Sequence, residues 1–324
     1  MKTALIGCGK AGQSLLEELI TNSNISKIEV FDPDITKYSD LYKTRDKDIL
    51  FSSETNNFKP EYDLVVIATP DHLHTAYLLV AINNGVDCFV VKPLVTNWDD
   101  FYAIEDALSK HPDMRITSNF ILRAAPLFKD LKFAYAAGFF GDKISVEGKY
   151  LYGRWEKLLN GWRGNSNYSV ILGGLIHLVD LFCFITNNYE YESHVEYKRL
   201  TKQEPFGVKD FGSVTLSNEK IGIANLSTNF STPLEHRRDF SIYGDQGWVE
   251  IRGSEVLVGG KLLDYNINNL SAKANTKGEL LQAFIGDIVK GGQGASSYPT
   301  RKEMLEVVRI CLSNNNSRSN RLYR

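Results

Sequence analysis

The stretch "TALIGCGKAGQSLLEEL" near the start constrains this chain more than any other. Residues 3–7 form a short apolar run of the kind that fills a buried parallel strand, and Leu15, Leu16, Leu19 and Ile20 recur at helical spacing. Between them Gly7, Gly9 and Gly12 stand as G-x-G-x-x-G. Each glycine has a mechanical reason there: a tight turn, close approach of a pyrophosphate to the backbone, and close packing of helix on strand. The helix start then offers free N–H groups to phosphate. Gly7, Cys8, Gly9, Lys10, Ala11 and Gly12 are therefore expected to line a dinucleotide. Asp32 ends the next apolar run 20 residues after Gly12, where an acid can hold a ribose 2′-hydroxyl. A carboxylate there repels a 2′-phosphate and no arginine adjoins it, which favours NAD, while Lys37 keeps NADP open.

The same texture continues through the first 120 residues. "KIEVFD" (27–32), "DLVVIATP" (63–70), "CFVVKP" (88–93) and "RITSNF" (115–120) read as further buried strands, with helical patterns between them. Alternation of this kind builds a parallel sheet covered by helices on both faces. After about residue 140 period-two segments such as "KISVEGKYLYG", "FGSVTLS", "IGIANLSTNF" and "RRDFSIYGD" predict antiparallel strands with one covered face. The stretch 169–187 is too long and apolar for a strand and reads as a buried helix. "TRKEMLEVVRICL" opens with Thr300 and Glu303 in a capping box. The tail after it is polar and reads as loosely held.

Composition excludes several classes. A formal net charge of −2 without any Lys/Arg run offers no field for nucleic acid. No apolar stretch reaches the roughly 18 residues of a membrane span. Cys8, Cys88, Cys183 and Cys311 are scattered, with no C-x-x-C pair, and read as reduced buried thiols with no metal site. The N-terminus lacks the pattern of a secretory signal, so a cytoplasmic location is expected.

Three further segments resemble one family. "ATPDHLHTAYLLVAINNGVDCFVVKPL" is similar to a stretch of the glucose–fructose oxidoreductase/inositol dehydrogenase (Gfo/Idh/MocA) family, in which a strand ends in Ala-Thr-Pro, a His follows and the next strand ends in Glu-Lys-Pro. "SNFILRAAP" resembles its crossover into a second domain, and "GWRGN…ILGGLIHLVDL" its Trp-Arg and Gly-Gly…His-x-x-Asp segments. The resemblance implies a doubly wound Rossmann domain over 1–120. A substrate-binding and oligomerisation α+β domain on an open, mostly antiparallel sheet would follow over 121–324, with the C-terminal helix able to pack back on the first domain. It implies a sugar, cyclitol or sugar-nucleotide substrate reacting against a nicotinamide between the domains, and a homodimer or homotetramer joined through the exposed sheet face. By matched position Thr69, Pro70 and His74 line the cofactor side, Lys92 is the family lysine, and His177 and Asp180 belong to the catalytic helix. Two positions depart from the pattern: Val91 replaces the Glu of Glu-Lys-Pro, and Gly173 stands where many members carry an Asp four residues before the histidine.

Oxidising a secondary alcohol needs a hydride acceptor and a base for the hydroxyl proton. Lys92 ends an apolar strand at the edge where open α/β sheets bind ligands. Desolvation and a nicotinamide's positive charge there would favour its neutral, proton-accepting form. His177 and Asp180, at i and i+3 of one helix, read either as a polar pair satisfied in a core or as site residues. The upstream segment "GWRGNSNYS" tips this toward a site, because it would bring Trp162, Arg163, Asn165 and Tyr168 to the same cleft for substrate. Asp180 is expected to touch substrate or orient its neighbours. Arg123 reads as an interdomain strut, and "EHRRDF" (235–240) as a solvated turn at a strand start. The expected reaction is NAD(P)-dependent hydride transfer, with a nucleotide-sugar role in surface polysaccharide biosynthesis preferred by analogy. The rivals are a NAD-binding relative without turnover, and an enzyme whose tightly held NAD serves a non-redox net reaction.

Overall fold

The strands come first, because their level ends build the site. The computed structural model describes residues 1–38, 42, 47–55, 61–164, 167–202, 207–260, 278–292 and 298–313. Asn165 and the polar tail after residue 313 lie outside them. Strands β1 (Lys2–Ile6), β2 (Lys27–Phe31), β3 (Asp48–Ser52), β4 (Leu64–Ile67), β5 (Asp87–Val90) and β6 (Ile116–Ser118) form one sheet in the order β3-β2-β1-β4-β5-β6. Every neighbouring pair is parallel. The order reverses direction beside β1, where doubly wound sheets bind ligands. Ile6 pairs with both Phe31 and Ile67, and Ile67 with Val90. The four strands thus end level, and the residues just beyond them, among them Gly7, Asp32, Thr69 and Lys92, share one edge.

β3 escapes a reading by apolar runs because it is an edge strand with half its side chains toward water, Leu50 being 45% exposed. The helices Lys10–Thr21, His74–Asn83 and Trp98–Ser109 follow β1, β4 and β5. Asn97 caps the last of these, its side-chain oxygen accepting the Asp100 N–H at 2.9 Å.

The chain divides into two compact units, Met1–Ile121 with Thr276–Leu305, and Leu122–Asn275 with Glu306–Arg324. The late segment completes the first. Its helix Glu279–Lys290 sets Phe284 against Phe89 at 6.0 Å and against Tyr298 at 5.2 Å between ring centres. The Gln282 amide donates to the Glu18 carbonyl at 2.9 Å, and the Thr117 hydroxyl to the Pro299 carbonyl at 2.8 Å. Arg301 donates to the carbonyls of Leu108 (3.0 Å), His111 (2.7 Å) and Met114 around and just past the end of Trp98–Ser109. Thr300 and Glu303 form the expected capping box: the Thr300 N–H donates to the glutamate at 2.9 Å and the Glu303 N–H to the threonine hydroxyl at 3.3 Å.

In the second unit β7 (Ile144–Leu151), β8 (Glu192–Lys198), β9 (Phe211–Asn218), β10 (Gly222–Asn229), β11 (Arg237–Gly244), β12 (Gly247–Arg252) and β13 (Glu255–Gly260) lie in the order β13-β12-β11-β7-β10-β9-β8. All pairs are antiparallel except β7 with β10. Alternation turns Ile144, Val146, Gly148 and Tyr150 of β7 inward with Ala224, Leu226, Phe240 and Ile242. The helices Pro126–Ala136 and Ile176–Thr186 pack on one another, and the second lies so close on the sheet that a Cβ at Gly148 would meet Leu178 at 3.2 Å. The opposite face carries Ile223, Tyr243, Trp248 and Leu257, each exposed. Among the described residues no helix is long and apolar enough to cross a membrane.

Because Arg301 serves three backbone carbonyls at once, Arg301→Ala is expected to destabilise the protein by about 2–3 kcal/mol. A lowered urea midpoint at unchanged slope checks this.

Candidate active site

The glycine loop divides its labour visibly. Gly7 has φ +91°, and a Cβ there would press on the Ala68 carbonyl at 2.7 Å. One at Gly12 would run into the Gly7 carbonyl, whereas one at Gly9 would meet no protein atom within 4 Å. Gly7 and Gly12 serve the fold, and Gly9 leaves open the space a pyrophosphate needs. The helix Lys10–Thr21 has no side-chain cap and no acid in its first turn, so its leading N–H groups face that space unanswered.

Asp32 is 9% exposed and is fixed beside the loop: it accepts the Cys8 N–H at 2.6 Å and the Asp34 N–H at 2.9 Å. Each carboxylate oxygen retains a lone pair for a ribose hydroxyl. The Cys8 thiol is pushed up to about 12 by burial and then by Asp32, so this residue offers its backbone rather than its sulfur. Lys37, the residue that kept NADP open, is ion-paired with Asp34 at 2.6 Å, and that bond raises its pKa. Its charge is already answered, which weakens the case for a 2′-phosphate.

Along the same edge the Thr69 hydroxyl is buried with no hydrogen-bond partner among the described residues, a donor suited to a bound ligand. Pro70 precedes the short turn Asp71–Leu73. His74 has no exposed surface; its Nδ1 lies 2.7 Å from the Pro93 carbonyl and its Nε2 3.0 Å from the Thr69 carbonyl. Burial lowers its pKa and keeps the ring neutral, so one nitrogen donates. His74 is thus a strut tying the segments after β4 and β5 together beneath the edge, not part of its surface. Lys92 is half-buried, followed by a cis bond to Pro93, and Val91 donates its N–H to the Ile67 carbonyl at 2.9 Å.

In the second unit the apolar helix begins as a π turn, Ile171–Leu175, before Ile176–Thr186 continues as α-helix. Every residue of both is buried. Two of its five residues are glycines, and both are closely packed. A Cβ at Gly173 would collide with the Tyr168 hydroxyl, and one at Gly174 would meet the Tyr150 ring at 2.8 Å and the Phe230 ring at 2.9 Å. His177 is 6% exposed, its ring lying flat on that of Tyr150 at 6.3 Å.

Asp180 is placed differently from the expectation that it touches substrate. It has no exposed surface, and Arg123 grips it: Nη2 donates to Oδ1 at 2.6 Å, and Nε lies 3.0–3.1 Å from both oxygens. Nη2 also donates to the Tyr189 hydroxyl at 3.1 Å. Arg123, expected as an interdomain strut, is an internal partner within the second unit, and Asp180 is held in the core by that arginine, a partner the core reading of His177 with Asp180 did not name.

The Trp-Arg segment does meet the histidine's surroundings. Trp162 lies edge-on to Tyr168 at 5.6 Å, Tyr168 touches Phe230 at 6.2 Å, and Phe230 stacks on Tyr152 at 4.2 Å. Tyr150 stacks beside both, and His236 stands edge-on to it at 5.1 Å. Arg163 covers Trp162 at 4.1 Å, Arg154 covers Tyr152 and Arg238 covers Tyr150, both at 5.9 Å. No motif in the sequence points to Tyr150, Tyr152, Arg154, Phe230, His236 or Arg238. "EHRRDF" is not simply a solvated turn: Arg237 pairs outward with Asp239 at 3.1 Å, but His236 and Arg238 turn toward the aromatic cluster. The signal available for them is the period of two that places residues 236 and 238 on the side of buried Phe240. Among the described residues no group of three or more His, Cys, Asp or Glu is placed to hold a metal.

A doubly wound sheet with this glycine loop and acid defines a nucleotide-binding Rossmann unit. Residues 1–120 match the family model described as "Oxidoreductase family, NAD-binding Rossmann fold", and residues 128–250 match "GFO/IDH/MocA C-terminal domain". The chain belongs to the Gfo/Idh/MocA oxidoreductase family and carries its NAD-binding domain. An inositol 2-dehydrogenase of Acidothermus cellulolyticus is 27% identical over 149 residues, 44% of this chain and 43% of that relative, so the match spans less than half of the relative's length. A myo-inositol 2-dehydrogenase structure from Lactobacillus plantarum superposes with a TM-score of 0.78 at 16% identity, covering 96% of this chain and 95% of that one. A UDP-N-acetylglucosamine 3-dehydrogenase from Acidithiobacillus ferrooxidans gives 0.75 at 18%, covering 97% and 96%. At these identities the structural likeness establishes the fold.

The glycine geometry separates ligand space from folding space. Gly9→Val is expected to leave the unliganded melting temperature within about 2 °C while abolishing the upward shift produced by saturating NAD. Gly12→Val is expected to lower the unliganded melting temperature itself. Thermal denaturation with and without NAD reads both.

Proposed function

We propose that this protein is an NAD-dependent oxidoreductase that moves a hydride between the nicotinamide and a hydroxyl or carbonyl carbon of a sugar, cyclitol or sugar nucleotide. The observation that carries the reading is the sheet edge on which the open space at Gly9, the fixed carboxylate of Asp32, the orphan hydroxyl of Thr69 and Lys92 stand together. NAD, when bound there, supplies the hydride acceptor or donor. Gly7 to Gly12 would hold its pyrophosphate and Asp32 its ribose. The paired state of Lys37 supports NAD over NADP.

Lys92 and His177 are the residues to which we assign proton transfer. A half-buried lysine at a strand end and a nearly buried imidazole on a rigid helix are both groups able to accept or donate a proton. Tyr168 takes the place of the acid that Gly173 lacks: its hydroxyl occupies the position from which a side chain at residue 173 would emerge. Trp162, Arg163 and Tyr168 would contact substrate, and Asp180 acts through Arg123 and the helix rather than on the reacting carbon. The exposed face of the second sheet, with Trp248 and Leu257, supports assembly into a homo-oligomer.

The test incubates the protein with NAD and a panel of cyclitols, sugars and sugar nucleotides, following reduced cofactor and product mass. His177→Asn is expected to lower kcat by roughly 10²–10⁴-fold while NAD still binds, and to remove the limb of the pH profile that the histidine supplies. Lys92→Met is expected to lose activity to a similar extent. NAD binding with no turnover of any member would assign the chain to binding alone. A changed product without net reduced cofactor would assign it to a non-redox net reaction.

A further inference from the structure

The second unit leaves three arginines unanswered around one aromatic cluster, and arginines elsewhere in the same fold are not treated so. Arg123 is paired with Asp180, Arg237 with Asp239 and Arg252 with Glu250. Arg154, Arg163 and Arg238 have no described carboxylate within ion-pair distance and no described hydrogen-bond partner; each lies only over a ring, of Tyr152, Trp162 and Tyr150 respectively. They come from separate places in the chain: the residues after β7, the turn Gly161–Gly164 and the start of β11. Yet all three act on one point. Burial pushes the Tyr150 hydroxyl up to about 12, and Arg238, Arg154 and Arg163 each pull it back down.

One buried polar atom waits at that point. Tyr150 itself is only 6% exposed. The Nδ1 atom of His236, whose ring stands edge-on to Tyr150 at 5.1 Å, is buried without a hydrogen-bond partner among the described residues. A buried donor left open is costly unless something fills it. A set of cations with open donors between them is filled by an anion.

We propose that this cluster is a subsite for the phosphoryl group of a phosphorylated sugar, either a sugar phosphate or a nucleoside diphosphate sugar. The inference rests on the dehydrogenase reading and names its substrate class. A phosphoryl group fits better than a carboxylate because a carboxylate engages one guanidinium fork fully with its two oxygens, whereas three forks need the additional oxygens of a phosphate or diphosphate. The stacked rings of Tyr152 and Phe230, with Tyr168 edge-on to the second, give the sugar or base an apolar face to lie on. His177, its ring beside that of Tyr150 at 6.3 Å, would place the reacting end of such a substrate next to the charged end.

The test measures binding rather than turnover, by calorimetry on the full chain with NAD at saturation so that the glycine loop is occupied. The probes are glucose, glucuronate, glucose 1-phosphate, UDP-glucose, UDP and inorganic pyrophosphate. At least one phosphoryl-bearing probe is expected to bind roughly tenfold or more tightly than glucose and glucuronate, and to weaken steeply as salt rises. Arg163→Ala and Arg238→Ala are each expected to weaken that probe by roughly tenfold, and Arg154→Ala by less because Arg154 is exposed. Their unliganded melting temperatures report whether the variants remain folded. The phosphate ester and the nucleotide arms tell the two sources of the phosphoryl group apart.

The proposal is overturned if no phosphoryl-bearing probe binds more tightly than glucose, if glucuronate binds as well as they do, or if folded arginine variants bind them unchanged. Binding without turnover would sink the dehydrogenase reading and leave the subsite standing. Turnover of neutral sugars with no phosphoryl preference would do the reverse.

Discussion

A carboxylate with no exposed surface, gripped by an arginine with almost none, is the constraint on which the second unit's site depends. The helix Ile176–Thr186 is buried along its entire length, so its hydrophobicity points nowhere in particular. Asp180 is its one charged carboxylate and has a fixed direction. Two charges this deep must meet, because removing either partner would strand the other at a cost of about 3–5 kcal/mol. Once Asp180 is committed to Arg123, the rotation of the helix is set. His177, three residues earlier, then has its ring on Tyr150 rather than in the apolar layer. The ion pair is structural, yet it sets the direction in which His177 points.

The π turn ahead of that helix completes the arrangement. Widening one turn shifts the register of the later turns by a residue and opens the backbone to neighbours, which is why such turns concentrate at functional sites. Here the openings are Gly173 and Gly174, and aromatic side chains fill both. Where many family members place a carboxylate on the helix, this chain places a tyrosine hydroxyl reaching in from the preceding loop. That hydroxyl comes from a segment that also carries Trp162 and Arg163, so one stretch of chain brings a phenol to the helix and a stacked Trp-Arg pair beside it.

The first unit was legible from the sequence because its signals are local. A glycine that must turn, one that must admit a helix and one that must leave space are all dictated within six residues, and Asp32 stands at a fixed distance from them. What escaped was held by distant partners. The helix Glu279–Lys290 carries a readable apolar face in Leu280, Leu281, Phe284 and Ile285, but nothing near it says that the face belongs to a sheet whose last strand, Ile116–Ser118, ended far earlier in the chain. The i, i+3 spacing of His177 and Asp180 put them on neighbouring positions of one helix and said nothing of Arg123, 57 residues away, whose presence decides that one of the two is structural. At "EHRRDF" the charges concealed the period: alternate residues of a strand face opposite ways whatever their polarity, and the inward pair happened to be a histidine and an arginine.

Burial explains why arginines in one fold meet opposite fates. Arg123 is sealed and cannot exist there without Asp180. Arg163 and Arg238 are half-buried and Arg154 is exposed, so water still screens their charge, and each guanidinium lies over an aromatic face that attracts it by about 0.5–1 kcal/mol at such sites. That attraction is enough to hold the side chains in place and far too weak to neutralise them. A carboxylate in the chain would have bound them more firmly and quenched the field. Aromatic partners hold the cations ready while leaving their N–H groups free, which a binding surface needs and a core does not. The ring under Arg238, that of Tyr150, is also the one packed against Gly174 of the π turn and His177, so one side chain supports both the histidine and the charge beside it.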